Sequence, residues 1–193
     1  MLEPAASRRL NRSKITGIAL TALFAALIAG GTFIAVPLPF SPVPIVLQNA
    51  FCVLAGLVLG PALGAWAVGL YLLAGALGLP VFSGAVGGFA HFAGPTGGFL
   101  AGYFLAALLA GLVAGKPKAG IKTPLSRIIA AAACGFLVIY VPGVFWLYHI
   151  TGSRAAAFTG GFLPFLPGDI VKAAIIAAAA SRLRGMAADK LDN

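Results

Sequence analysis

Long apolar runs, broken by short polar or glycine- and proline-rich segments, organise this chain from Ile15 to Leu183. A helix that crosses the hydrocarbon core of a bilayer needs about 20 apolar residues, within a range of roughly 17–25. The pattern predicts six such helices: Ile15–Val36, Pro44–Leu59, Pro61–Leu79, Gly97–Gly115, Arg127–Ile150 and Pro167–Leu183. Only Gly60 and Pro61 join the second to the third, which predicts a tight helical hairpin. The expected architecture is an all-α integral membrane protein. A basic segment (1–14) precedes a six-helix domain (15–183), and a polar tail (184–193) follows it.

Composition supports this reading. Hydrophobic residues make up 61% of the chain, the mean hydropathy is +1.03, and only 9% of residues are charged. Soluble domains carry about 25% charged residues, and no small soluble core could bury this much apolar surface. A cleavable leader is not expected. The run behind the basic start is longer than a signal h-region and lacks a small-x-small site before polar sequence. Cys52 and Cys134 both fall in apolar runs, without metal-ligand spacing, and read as free thiols.

The net charge of +9 would be compatible with nucleic-acid binding, but its placement argues against it. Of 13 basic residues, four precede the first run, four lie from the end of the fourth to the start of the fifth (Lys116, Lys118, Lys122, Arg127) and three lie at or beyond the end of the last (Arg182, Arg184, Lys190). With six crossings, these clusters all fall on one side, together with both termini. Basic residues mark the cytoplasmic side, so the chain is expected in a bacterial cytoplasmic membrane with both ends inside.

The loops on the other side are unusual. One holds Pro37, Pro39, Pro42 and Pro44 and cannot be regular helix. The next interleaves Phe82, Phe89, His91 and Phe92 with glycines, and the last combines Gly160, Gly161, Pro164 and Pro167 with Phe158, Phe162 and Phe165. Irregular backbone at membrane depth is tolerated where it lines a protein-covered cavity. An outward-facing pocket roofed by these ordered apolar loops is therefore expected.

The chemistry concentrates in Pro167-Gly168-Asp169-Ile170-Val171-Lys172. Asp169 is the only acid in the apolar body; Glu3, Asp189 and Asp192 lie in the tails. An ionisable group within the membrane costs about 2.5–3.5 kcal/mol on insertion scales and marks a functional site by default. Spacing i, i+3 puts Asp169 and Lys172 on one helix face. Mutual neutralisation is the plainer explanation, but a pair kept only to cancel itself gains little over two apolar residues. A ligand with N–H donors at one end and an anion at the other suits the pair better. Gln48 and Asn49 lie one turn into the second run, near its outer end; adjacent residues do not share a helix face, and Gln48 is chosen to point into the pocket. Tyr71 either stacks on a ligand or packs. Small residues at Ala19, Ala22, Ala26 and Ala29 suit close helix packing, either inside the bundle or against another subunit. With a single intramembrane acid, neither a zinc helix nor paired carboxylates can be built. No nucleotide-binding phosphate loop is present, and no metal or cofactor is expected.

Five segments together carry a family resemblance. They are Pro42-Val43-Pro44-Ile45-Val46-Leu47-Gln48, Leu54-Ala55-Gly56-Leu57-Val58-Leu59-Gly60-Pro61, Gly78-Leu79-Pro80-Val81-Phe82, Gly94-Pro95-Thr96-Gly97-Gly98 and Pro167-Gly168-Asp169-Ile170-Val171-Lys172. In this order the chain resembles the BioY family, the substrate-binding S components of biotin transporters of the energy-coupling factor class. The resemblance implies high-affinity biotin binding near the outer face, with Asp169 and Lys172 on its polar groups. Charge alone assigns Asp169 to the ureido N–H donors and Lys172 to the valerate carboxylate. The Gly94–Gly98 loop would form part of a lid. In relatives a polar or basic residue of that region helps hold biotin, and His91 is the candidate here. Candidate substrate contacts are thus Asp169, Lys172, Gln48, Tyr71, His91, Phe82, Gly88 and Thr96. Ala22 and Ala26 would dock a transmembrane T component coupled to two ABC ATPase subunits. Other readings are an S component for thiamine or riboflavin, a small intramembrane enzyme using Asp169 on a lipid, and a structural subunit. A homo-oligomer is equally compatible with the sequence.

Overall fold

The computed structural model describes residues 5–192, with side chains from 12 to 191. Residues 1–4 and 193, and with them Glu3, lie outside the described residues, as do the side chains of Arg8, Arg9 and Asp192. Helices stand at all six expected places: α1 (Ala5–Gly31), α2 (Gln48–Leu59), α3 (Pro61–Ala76), α4 (Gly97–Ala114), α5 (Leu125–Thr151) and, last in the chain, α7 (Leu166–Asp192). An additional short helix, α6 (Arg154–Gly161), lies within the apolar segment between the fifth and last. It was not anticipated. Ser153 caps it by accepting a hydrogen bond from the Ala156 N–H at 3.2 Å.

The fold is not purely helical. The proline-rich first loop pairs with itself as an antiparallel hairpin of β1 (Ala35–Leu38) and β2 (Ser41–Val46). Pro37 lacks the N–H a ladder requires, and the register is interrupted between Val36 and Leu38. The first helix consequently ends at Gly31 rather than Val36. The second starts at Gln48 rather than Pro44, because Pro42 and Pro44 belong to β2. Among the described residues, three helices are long and apolar enough to cross a membrane alone: Arg12–Gly31, Gly97–Ala114 and Leu125–Thr151. A fourth crossing arises if α6 and α7, bent by 41° at their junction, count as one broken span. α2 and α3 are shorter, about 18 and 24 Å at 1.5 Å per residue.

Gly60, with φ of 82°, makes the sharp turn between α2 and α3, and Pro61 opens the next helix. At this position a side chain would be strained. α4 packs most extensively on α5, and its small residues explain how closely. A Cβ on Gly98 would lie 2.3 Å from the Pro142 carbonyl oxygen, and one on Gly102 2.7 Å from that of Ile139. Across α4, a Cβ on Gly56 would meet the Ala107 carbonyl oxygen at 2.1 Å. The α4 stripe of Gly98, Gly102, Ala106 and Ala110 is buried inside the bundle. The α1 stripe behaves differently: Ala19, Ala22 and Ala26 are exposed on the outside.

The two ends of the chain meet. The Ser13 hydroxyl donates to the Leu191 carbonyl at 2.5 Å. Residues 184–192 of the polar tail continue α7, with Ala187 and Ala188 buried. Arg184 was counted among the basic tail residues, yet it is only 4% exposed. Its guanidinium donates to the carbonyls of Leu57, Ala114 (3.2 Å) and Gly115 (2.8 Å) and to the Thr123 hydroxyl at 3.1 Å. It thereby satisfies carbonyls at the C-terminal ends of α2 and α4, where helices leave acceptors unpaired and favour cations.

Candidate ligand-binding site

Asp169 lies in the first turn of α7, where the helix dipole favours an anion, and Pro167 is tolerated there because early N–H groups have no helical partner. The carboxylate is 4% exposed and fully engaged. Oδ1 accepts from Lys172 Nζ at 2.7 Å and Asn49 Nδ2 at 3.0 Å; Oδ2 accepts from the Tyr140 hydroxyl at 2.5 Å and Asn49 Nδ2 at 3.3 Å. Lys172 spends its remaining donors on the Asn49 side-chain carbonyl at 3.0 Å and the backbone carbonyl of Val46 at 2.9 Å. An ammonium has three donors, and all three are used. The last of them ties α7 to the end of the β hairpin.

A second polar cluster surrounds Gln48, which is 1% exposed. Its amide donates to the Thr32 hydroxyl, the Tyr71 hydroxyl at 2.6 Å and the Val81 carbonyl at 3.1 Å. Gln48 thus joins the end of α1, α3 and the loop after α3. Phe82 is fully buried behind it, edge-on to Tyr71 (5.7 Å) and Phe92 (5.4 Å) and stacked on His91 at 5.1 Å. The Thr96 hydroxyl and His91 Nε2 are 3.0 Å apart. Partial burial lowers the His91 pKa below its ordinary 6.5, so the ring is neutral at pH 7.

Two small cavities, each of about 20 Å³, lie side by side under the hairpin. Val43, Pro44, Val46, Phe99 and Tyr103 border both. Gln48, Ser83, His91 and Thr96 complete one; Asn49, Tyr140, Phe165 and Asp169 complete the other. Residues of all three apolar loops thus border these cavities. Ser41 fastens the hairpin from the other side, its hydroxyl donating to the Gly160 carbonyl of α6 at 2.5 Å.

The candidates fall into two groups. Asp169, Gln48, His91 and Thr96 border the cavities, and Lys172 contacts the wall through Val46. Tyr71, Phe82 and Gly88 stand behind this layer. Tyr71 and Phe82 are packed, and the Gly88 N–H donates to the Gly75 carbonyl at 2.7 Å with φ of 103°. Asn49 reaches the site as well, against the expectation that adjacent residues do not share a helix face. That reasoning fails in α2, which is buried on every side from Gln48 to Leu59 except at Phe51; both amides reach the interior, one per cavity. The apolar run around it was the available signal, since a helix apolar all round is buried all round. Tyr140 and Tyr103 were also missed; each is a buried hydroxyl midway along a long apolar helix, and such groups usually find a partner.

A sequence model of the BioY family matches residues 6–189. A protein described as a probable biotin transporter BioY from Pyrococcus horikoshii is 44% identical over 172 residues, covering 89% of this chain and 98% of that one. A biotin transporter BioY from Thermotoga maritima is 39% identical over 168 residues, covering 87% and 95%. A crystal structure described as the S-component for biotin from an ECF-type ABC transporter superposes with a TM-score of 0.79 at 30% identity, covering 90% of this chain and 93% of that one. From the first helix to the last, this chain belongs to the BioY family.

Proposed function

We propose that this protein is the biotin-capturing S component of an energy-coupling factor transporter. It would take up biotin at the outer face and release it inward with a T component and two ABC ATPase subunits. It is a transport subunit and not an enzyme, as its relatives are transporters. Biotin is cargo rather than cofactor. Six crossings with both ends inside fit the meeting of Ser13 with Leu191, the basic inner clusters and the rule that positive residues stay cytoplasmic. The shorter α2 and α3 would cross as part of the bundle.

One observation carries the site assignment: Asp169, Lys172 and Asn49 form a single hydrogen-bonded cluster inside an apolar bundle. The ureido ring of biotin presents two N–H donors and a carbonyl acceptor. Asp169 supplies the acceptor for the former, exchanging bonds it now receives within the cluster, and Lys172 supplies a donor for the latter by giving up its bond to Val46, with Asn49 holding the pair in place. Because Asp169 and Lys172 touch, both serve the same end of the ligand, and the valerate carboxylate extends towards Gln48, His91 and Thr96. This replaces the division of the pair between opposite ends that charge alone suggested. Entry requires the wall formed by Val43, Pro44 and Val46 to move, and the Lys172–Val46 bond makes that movement sensitive to what occupies the cluster.

Calorimetric titration of ligand-stripped protein with biotin and biotin methyl ester tests both parts. Tight biotin binding, weakened by Asp169→Asn and Lys172→Ala, is expected. The ester should weaken binding by the same factor in wild type and in Lys172→Ala. An ester penalty that disappears in Lys172→Ala would put the lysine on the carboxylate instead, and absence of any biotin heat from a monodisperse protein would overturn the biotin assignment.

A further inference from the structure

A large recess among the described residues lies apart from the Asp169 cluster. It is a groove of about 790 Å³ between α1 and α3, on the face where the chain ends meet. Gly17 forms its floor, within 3.7 Å of Leu63 and Leu191 as judged by a Cβ built there. Along α3 it runs from Pro61 to Leu70, about 13 Å at 1.5 Å per residue, walled by Ile18 and by Trp66, whose side is 71% exposed. At its inner end stand Ser13, Lys14 and Lys116. Lys116 is held against the α2–α3 turn, its Cα 3.5 Å from where a Cβ on Gly60 would lie. Among the described residues no Asp or Glu lines the groove.

We propose that this groove binds one anionic phospholipid, its phosphate between Lys14 and Lys116 and one acyl chain laid along α3 past Trp66. Charge and shape both select this occupant. Two cations with no carboxylate among the described lining residues, at the wet end of an apolar channel, match a negative head group joined to a hydrocarbon chain. Basic pockets between helices on the cytoplasmic side bind such head groups, and exposed Trp is common near membrane interfaces. A zwitterionic lipid would place its own cation beside both lysines. The site rests on the membrane reading and is independent of the biotin cluster; Ala22 also lines the groove, so a T component docking on that face of α1 would take the lipid's place.

The test uses the full chain in detergent micelles supplemented with phosphatidylglycerol or with phosphatidylcholine of identical acyl chains, followed by thermal unfolding. The expected result is a midpoint several degrees higher with phosphatidylglycerol, in wild type and in K118A/K122A, whose lysines belong to the same inner loop but not to the groove. In K14A/K116A the difference between lipids should fall by at least half. Equal midpoints with the two lipids in wild type would overturn the proposal. So would an equal loss in both double variants, which would mean diffuse attraction to the basic face. Should K14A/K116A not fold, a phosphatidylglycerol with a photoreactive acyl chain provides the answer in wild type. Labelling at Trp66–Leu70, competed by phosphatidylglycerol and not by phosphatidylcholine, supports the site. Labelling elsewhere, or a groove protected by a copurifying protein with no lipid label, overturns it.

Discussion

Asn49 holds both sides of the buried ion pair: its amide N–H group reaches both oxygens of Asp169, at 3.0 and 3.3 Å, while its carbonyl accepts from Lys172 at 3.0 Å. The amide is therefore what keeps carboxylate and ammonium in one fixed arrangement, aimed at the cavity that Asn49 and Asp169 share. Removing it leaves two charges with fewer fixed bonds. Hydrogen bonds to charged groups contribute about 1.5–3 kcal/mol each. Asn49→Ala should weaken biotin binding by about 10- to 100-fold by calorimetry, and Asn49→Asp should do at least as much by adding a second carboxylate. An unchanged affinity in Asn49→Ala would remove Asn49 from the site.

Stability should depend on Asp169 even without ligand. Truncating one partner of a buried pair leaves the other charge unpaired, at a cost of about 3–5 kcal/mol. Asp169→Ala should therefore lower the thermal midpoint sharply, as read by the loss of helical signal in detergent. Asp169→Leu combined with Lys172→Met should restore most of it, because two apolar residues leave no orphan charge, while biotin binding stays lost. Failure of the double variant to recover stability would mean that the pair is itself a net stabilising element.

Arg184 separates stability from binding. It engages α2, α4 and Thr123 at the end of the bundle away from the hairpin, and touches none of the residues around the two cavities. Arg184→Met should lower the midpoint by the cost of carbonyls left without donors, about 1–3 kcal/mol for each that stays buried. Biotin affinity in the surviving folded protein should be that of wild type. Arg184→Lys should rescue little, since a compact ammonium cannot reproduce the fork that spans several carbonyls. Full rescue by lysine would show that charge, not geometry, matters here.

The extent to which the fold was legible follows from the same residues. Hydropathy located every long helix, because in a bilayer helical backbone bonds are the cheapest way to satisfy polar groups. The hairpin was visible only as a segment that could not be helix, for proline forbids one structure without naming its replacement. Its seat on α6 is marked by the bond of Ser41 to Gly160, a contact 119 positions apart that no local pattern reports. The Asp169–Lys172 pair was readable from spacing, since i, i+3 is local. Asn49 and Tyr140 were not, because they reach Asp169 from α2 and α5. The stripes on α1 and α4 looked alike as sequence, and only packing separated the exposed one from the buried one.

Acidification should loosen the aromatic loop through His91. Burial lowers the folded pKa of this residue below the 6.5 of the exposed ring. In the intermediate pH range the unfolded chain binds more protons, so stability rises with pH there. The contribution is fully present above pH 6.5 and is lost as pH falls through the lower folded value. Phe82, stacked on the ring, and Thr96 beside it would then face an imidazolium in a partly desolvated place. The wild-type thermal midpoint should drop between pH 7.5 and 5 by more than that of His91→Gln. Identical pH profiles would show that His91 does not titrate across this range.

The exposed stripe on α1 should matter to transport and not to capture. Ala22 and Ala26 lie one helical turn apart, both exposed, on a helix whose opposite side buries Phe24, Ala25 and Ile28. Small residues at this spacing let a second helix approach closely by van der Waals contact, which suits docking of a T component. Ala26→Phe adds bulk to the outer face only, so the fold and the Asp169 cluster, on α7 and distant in sequence, should be untouched. Biotin titration should give the wild-type affinity, whereas ATP-dependent uptake of labelled biotin by vesicles containing the complete complex should fall at least tenfold, with loss of the T component on affinity purification. Uptake that survives Ala26→Phe with the complex intact would move the docking face away from α1. Loss of biotin binding in the same variant would instead show that α1 packing supports the site, through Thr32 and its bond with Gln48.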